Sequence, residues 1–107
     1  MTAITLPKAI EDFVAATNAH DVIALEKAFA PGATIVDDGR TFATETELRE
    51  FFQLHLVDPK IVLTPTSYED GRLVASGDGD FPGGPLSFAF TFGIKDDAIT
   101  DLVIEPV

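Results

Sequence analysis

The sequence predicts an α+β fold, with three N-terminal helices packed on one face of a curved, mainly antiparallel sheet. Two features of the chain point there. Apolar residues recur with helical spacing through most of the first half, as at Ile10, Phe13, Val14 and Thr17. From Lys60 onward the pattern changes to alternation broken by turn residues, clearest in Leu86, Phe88, Phe90, Phe92 and Ile94. Helices early and antiparallel strands late give an α+β layout.

The first helix is expected over 7–18, with Thr5 as its cap and Pro7 in the first turn. Asn18 to Asp21 makes a corner, and Asp21 is a suitable cap for a second helix over 22–29. Pro31-Gly32 ends that helix. A short strand follows over 33–37, and Asp38-Gly39 is a two-residue hairpin signal leading into 40–43. Thr44 with Glu47 forms a capping box for a third helix over 45–56, whose apolar face is Leu48, Phe51, Phe52, His55 and Leu56.

Strands are expected over 60–68, 72–81, 86–94 and 99–105. Pro65 marks the first of them as an edge strand or the site of a bulge. Asp70-Gly71, Pro82 to Pro85 and Lys95 to Ala98 are the connections. A curved sheet whose concave face is only partly covered by helices leaves a cone-shaped pocket, a natural place for a small molecule.

With 107 residues the chain is expected to be a single domain, 1–107, able to bury roughly two-thirds of its unfolded surface. Nine of its ten aromatics are Phe, so the core has few polar handles. The absence of Cys excludes disulfides, thiolate metal sites and thiol nucleophiles, and fits a reducing, cytoplasmic setting. Met1 to Pro7 lacks the basic and long apolar regions of a signal peptide, and no stretch has the length of a membrane span. Eighteen acids against seven scattered bases give a net charge of −11, which disfavours nucleic acid and anionic membranes as partners.

Within this layout the chain resembles the nuclear transport factor 2-like superfamily, in its SnoaL-like polyketide cyclase and ketosteroid isomerase branch. The resemblance is carried by the run from Phe13 to Asp21, by Ala28-Phe29-Ala30-Pro31-Gly32-Ala33-Thr34, by Leu48-Arg49-Glu50-Phe51-Phe52, and by the closing strands up to Ile104-Glu105. It implies a cystatin-like cone, an α+β barrel often homodimeric through the outer face of its sheet. Members of that superfamily include isomerases, cyclases, dehydratases, epoxide hydrolases and non-catalytic binding modules, so the fold does not select a function.

In the isomerases a carboxylate base ends the first strand, and Asp37 matches it. Their oxyanion hole uses a tyrosine and a protonated aspartic acid; the resemblance places Phe13 at the first and Phe90 or a neighbour at the second. Phe52 corresponds to a further pocket tyrosine. Phenyl rings donate no hydrogen bond to a developing enolate, so steroid isomerisation by that route is not expected.

Asp37 has two readings from the residues themselves. It is either a base at the pocket mouth, with a pKa raised by apolar surroundings, or a pre-turn residue accepting backbone N–H bonds in solvent. His55 shares the buried helix face with Phe51 and Phe52 and would partner Asp37 if the pocket lies between them. His20 is expected to be structural, at the negative end of the first helix. Asp78 and Asp80 are expected to face solvent or a partner, while Gly77 and Gly79 ease curvature or admit a ring.

Phe13, Phe52, Phe88, Phe90 and Phe92 are the expected lining of the pocket, with a small apolar molecule as its ligand. No metal or cofactor is expected, because no ligand cluster or phosphate loop is present. The sequence leaves three functions open: a pocket protein, an isomerase, cyclase or dehydratase with Asp37 as general base, or a dimeric interaction module.

Overall fold

In the computed structural model, which describes residues 5–80 and 85–107, the elements follow the expected order. The first helix, α1 (Lys8–Asn18), begins after Pro7, whose ψ of 151° keeps the preceding backbone extended. Thr5 does not cap it; Pro7 occupies the cap position and no side chain bonds there. At the other end, the Asn18 amide donates to the Leu63 carbonyl at 3.0 Å and accepts from the Leu63 N–H at 2.7 Å. His20, at φ 55°, turns the chain, and its Nε2 lies 3.1 Å from the Ile61 carbonyl. A carbonyl only accepts, so Nε2 carries the proton. His20 therefore ties the helix end to the sheet, as its position suggested.

Asp21 caps α2 (Val22–Ala28) by accepting from the Ala24 N–H at 3.1 Å. This helix stops one residue early, and the chain passes directly into β1 (Phe29–Asp37). The strand starts at Phe29, not at Ala33. The Pro31-Gly32 break lies inside it, where the register with its neighbour shifts between Phe29 and Thr34. Gly32 takes φ 77°, which an L side chain resists.

Asp38 and Gly39, both with positive φ, close a two-residue hairpin to β2 (Arg40–Phe42). The capping box of α3 (Glu45–Phe51) is present, with Glu47 N–H to Thr44 Oγ1 and Thr44 N–H to Glu47 Oε1 both at 3.1 Å. Beyond Phe51 the helix does not continue as α. Residues Phe52–Val57 wind as a π-helix, and Asp58 N–H to Gln53 and Ile61 N–H to Leu56 bonds span five residues at 2.8 and 2.9 Å. This wider turn keeps Phe52 and Leu56 in the core and leaves Gln53, Leu54 and His55 at the surface. His55 is thus exposed, not on a fully buried face.

The remaining strands are β3 (Val62–Glu69), β4 (Arg72–Asp78), β5 (Leu86–Lys95) and β6 (Ala98–Pro106). The sheet runs β2-β1-β6-β5-β4-β3, antiparallel except for the parallel β1–β6 pair. Pro65 lies on the edge strand β3 and beside a register shift, which meets both expectations for it. The expected strand end at Phe81 and the connection over 82–84 lie outside the described residues. Asp78 and Asp80 are exposed. Tyr68 pairs with Leu73, and its hydroxyl accepts from the Gly71 N–H at 3.1 Å.

Helices α1 and α3 cover the Phe90 and Phe92 face of the sheet. Phe13 packs its ring against Phe29, Phe90 and Phe92, with centroids 6.0, 5.9 and 5.5 Å away. Thr17, the buried polar residue of α1, is satisfied by donating to the Phe13 carbonyl at 2.8 Å. No helix among the described residues is long and apolar enough to cross a membrane.

Candidate functional site

The site is built where β1 ends. Alternation puts Asp37 on the face of Ile35, which is fully buried, and Val36 on the other. The parallel register places Ile104 of β6 opposite Asp37. The π turn after α3 brings His55 to the same wall, and β5 contributes Phe88 and Phe90. Together with Phe51 these residues line a cavity of about 270 Å³. Leu54 and Leu86, 61% and 47% exposed, form its lip.

Stacking holds the imidazole of His55. Its ring lies 5.0 Å from that of Phe51 with planes 24° apart, and Phe42 meets it edge-on at 6.2 Å. Phe88 is set by a close approach, since a Cβ on Gly77 would come within 3.3 Å of its ring. Gly77 thus lets the Phe88 ring approach closely, one of the two roles expected of it.

Asp37 is half-buried. Burial raises its pKa above the ordinary value of 3.8; His55 and Arg40 pull it down, and the neighbouring Asp38 adds to the rise. Among the described residues no hydrogen bond supports the charged form. The pre-turn reading, in which turn N–H groups satisfy this carboxylate, does not describe it.

This has a consequence for stability. A carboxyl with a raised folded-state pKa favours the folded state when protonated. That contribution is complete below pH 3.8 and is lost as pH rises through the folded pKa. Asp37→Asn is therefore expected to melt higher than the parent at neutral pH, with the advantage vanishing in acid. Melting curves of both proteins across pH check this; a difference independent of pH would contradict it.

Of the residues expected at the site, Asp37, His55, Phe88 and Phe90 line one cavity. Phe13 and Phe92 do not reach it: they pack against each other within the core, with Phe13 wholly buried. Phe52 is also wholly buried and packs against Phe29, with ring centroids 5.2 Å apart and planes tilted by 48°. Its edge borders a different, open groove of about 460 Å³ between α2, β1 and α3, beside Ile23, Glu26 and Leu48. That groove is larger, but of its charged side chains Lys27 and Glu45 are exposed, and the partly buried Glu26 is already paired with Arg49 at 2.7 Å. The smaller cavity holds the desolvated carboxylate, and chemistry favours it.

Sequence reasoning did not assign Phe51 and Ile104 to the lining. Phe51 was legible as one helical turn before His55. Ile104 was not, because nothing local announces the parallel pairing that brings it beside Asp37. Among the described residues lining the cavity, Asp37 and His55 carry the only polar side chains, and no group of three or more potential metal ligands is found.

No protein-family model matches the sequence, and no curated protein matches it. Solved structures do. A candidate polyketide cyclase from Sinorhizobium meliloti superposes with a TM-score of 0.82 at 26% identity, over 94% of this chain and 95% of that one. An NTF2-like protein from Cytophaga hutchinsonii matches with a TM-score of 0.76 at 15% identity, over 99% and 93%. A protein with a ketosteroid isomerase-like fold from Catenulispora acidiphila gives 0.75 at 21%, over 94% and 86%. Both the element order and these superpositions lead to one assignment: the chain has the nuclear transport factor 2-like fold in its SnoaL-like, ketosteroid isomerase-like form.

Proposed function

We propose that the protein binds a small apolar molecule in the cavity between the π turn, the end of β1 and β5. The observation that carries this reading is the pair of polar groups, Asp37 and His55, set in a wall otherwise made of Phe51, Phe88, Phe90, Ile104 and other apolar side chains. Apolar walls supply the favourable burial and a few polar groups fix orientation. At about 270 Å³ the cavity sits near the lower end of the roughly 300–1,000 Å³ of ordinary ligand sites, so a compact molecule is favoured. A ligand that binds the folded state raises the melting temperature. A thermal-shift screen of compact apolar compounds is expected to find such molecules; no shift from any compound, with native mass spectra of the purified protein repeatedly empty, would sink the reading.

A second reading is favoured by the desolvated carboxylate itself: an isomerase, cyclase or dehydratase with Asp37 as general base. A base works best with its pKa near the operating pH, and burial moves Asp37 in that direction. His55 is the group that would donate to a developing oxyanion, since Phe13 and Phe90 supply no donor. Under this reading, Asp37→Asn retains binding and loses turnover of any substrate the screen uncovers. Full turnover by that variant would exclude Asp37 as base.

The outer face of the sheet, with half-buried Val36, Val74 and Val103, is the surface we assign to a homodimer. A protein that sediments as a monomer at all concentrations would remove that part of the proposal.

A further inference from the structure

We infer that the ligand of this cavity carries an ammonium group on its apolar body, seated against the Asp37 carboxylate among the rings of Phe51, Phe88 and Phe90. This inference rests on the cavity being a small-molecule site and adds the charge of the molecule it takes. Three observations support it. The first is the carboxylate: Asp37 is the one acidic side chain among the described lining residues, half-buried and with no hydrogen-bond donor of its own. A neutral apolar ligand would take more water from it and return nothing. An ammonium would supply both charge and N–H donors, the stronger kind of hydrogen bond.

The second is the aromatic character of the wall, because ring faces attract cations, and do so most when water is excluded. The third is electrostatic context. No Lys or Arg side chain is among the described lining residues, and the chain carries a net charge of −11. That field raises the local concentration of cations and lowers that of anions. Arg40, the nearest fixed cation acting on Asp37, sits over the Phe42 ring at 5.4 Å and is not part of the lining. His55 is the one lining group that competes for the carboxylate, and it is held at the exposed mouth by its stacking on Phe51.

Benzylamine, benzyl alcohol and benzoate share one size and shape and differ in charge. Titrated into the protein and followed calorimetrically, benzylamine is expected to bind about tenfold or more tighter than benzyl alcohol, and benzoate weakest. In Asp37→Asn the amine and the alcohol should become equal, with the alcohol's affinity at least maintained. Equal affinities of amine and alcohol for the parent protein would overturn the ammonium inference and leave the cavity as a binding site. So would an amine preference that survives Asp37→Asn, since the attraction would then belong to the acidic surface at large. If neither amine nor alcohol binds, this inference falls, and the small-molecule reading stands or falls on the wider screen and the native mass spectra.

Discussion

Phe13→Ala is expected to lower the stability of the folded protein by about 3–5 kcal/mol, the range for emptying a buried phenylalanine site. The ring is wholly buried and meets three other phenylalanines, Phe29, Phe90 and Phe92, within 6.0 Å. Those partners come from β1 and β5, elements fixed by backbone hydrogen bonds, so the space cannot close easily. A domain of this size has about 5–15 kcal/mol to lose in total. Urea unfolding should show a lower midpoint with an unchanged slope. A loss below about 1 kcal/mol would mean that α1 shifts to fill the hole and that the core is less rigid than its packing implies.

Phe90→Asp is expected to cost still more, roughly 4–8 kcal/mol when the lost ring and the buried carboxyl are taken together. The substitution restores the acid that the isomerase resemblance expects on this strand. It would not restore a donor pair, because the side chain would emerge at a 2% exposed position beside Phe13 and Phe92. Neither ring offers a hydrogen bond. Burial would hold the carboxyl protonated, and its oxygens would lack partners. Far-ultraviolet circular dichroism and urea melts are expected to show a protein at or past the edge of unfolding. A variant that melts like the parent would show that water reaches Phe90 through the cavity, which would make the cavity deeper and wetter than described.

Phe13 and Phe90 belong to different parts of the molecule although their rings are neighbours. Phe90 has one side in the core and one at the cavity; Phe13 has only the core. Helical and strand periods identify both as inward-facing, and that much was legible. Periodicity does not say which inward-facing surfaces meet each other and which border empty space. That depends on how α1 lies across β5, a tertiary fact. The Asp38-Gly39 and Asp70-Gly71 turns, the Thr44–Glu47 capping box and the edge position of Pro65 were legible because each is a local backbone requirement.

The π turn at Phe52–Val57 was not legible. Its five-residue hydrogen bonds reach as far as Ile61, just before β3, and the apolar spacing of Phe51, Phe52, His55 and Leu56 fits an α-helix equally well. The turn matters to the site because it exposes His55 at the cavity mouth. The parallel pairing of β1 with β6 was equally hidden, and it sets Ile104 opposite Asp37. Asp37 itself was legible as a candidate from its place at a strand end. Its desolvation is a property of the assembled wall.

The most direct test of the account is a nuclear magnetic resonance titration with the tightest binder from the thermal-shift screen, following amide and aromatic signals. The account predicts shifts concentrated at Asp37, Phe51, His55, Phe88 and Phe90. Shifts concentrated instead at Ile23, Glu26 and Leu48, in the groove on the other side of α3, would contradict it.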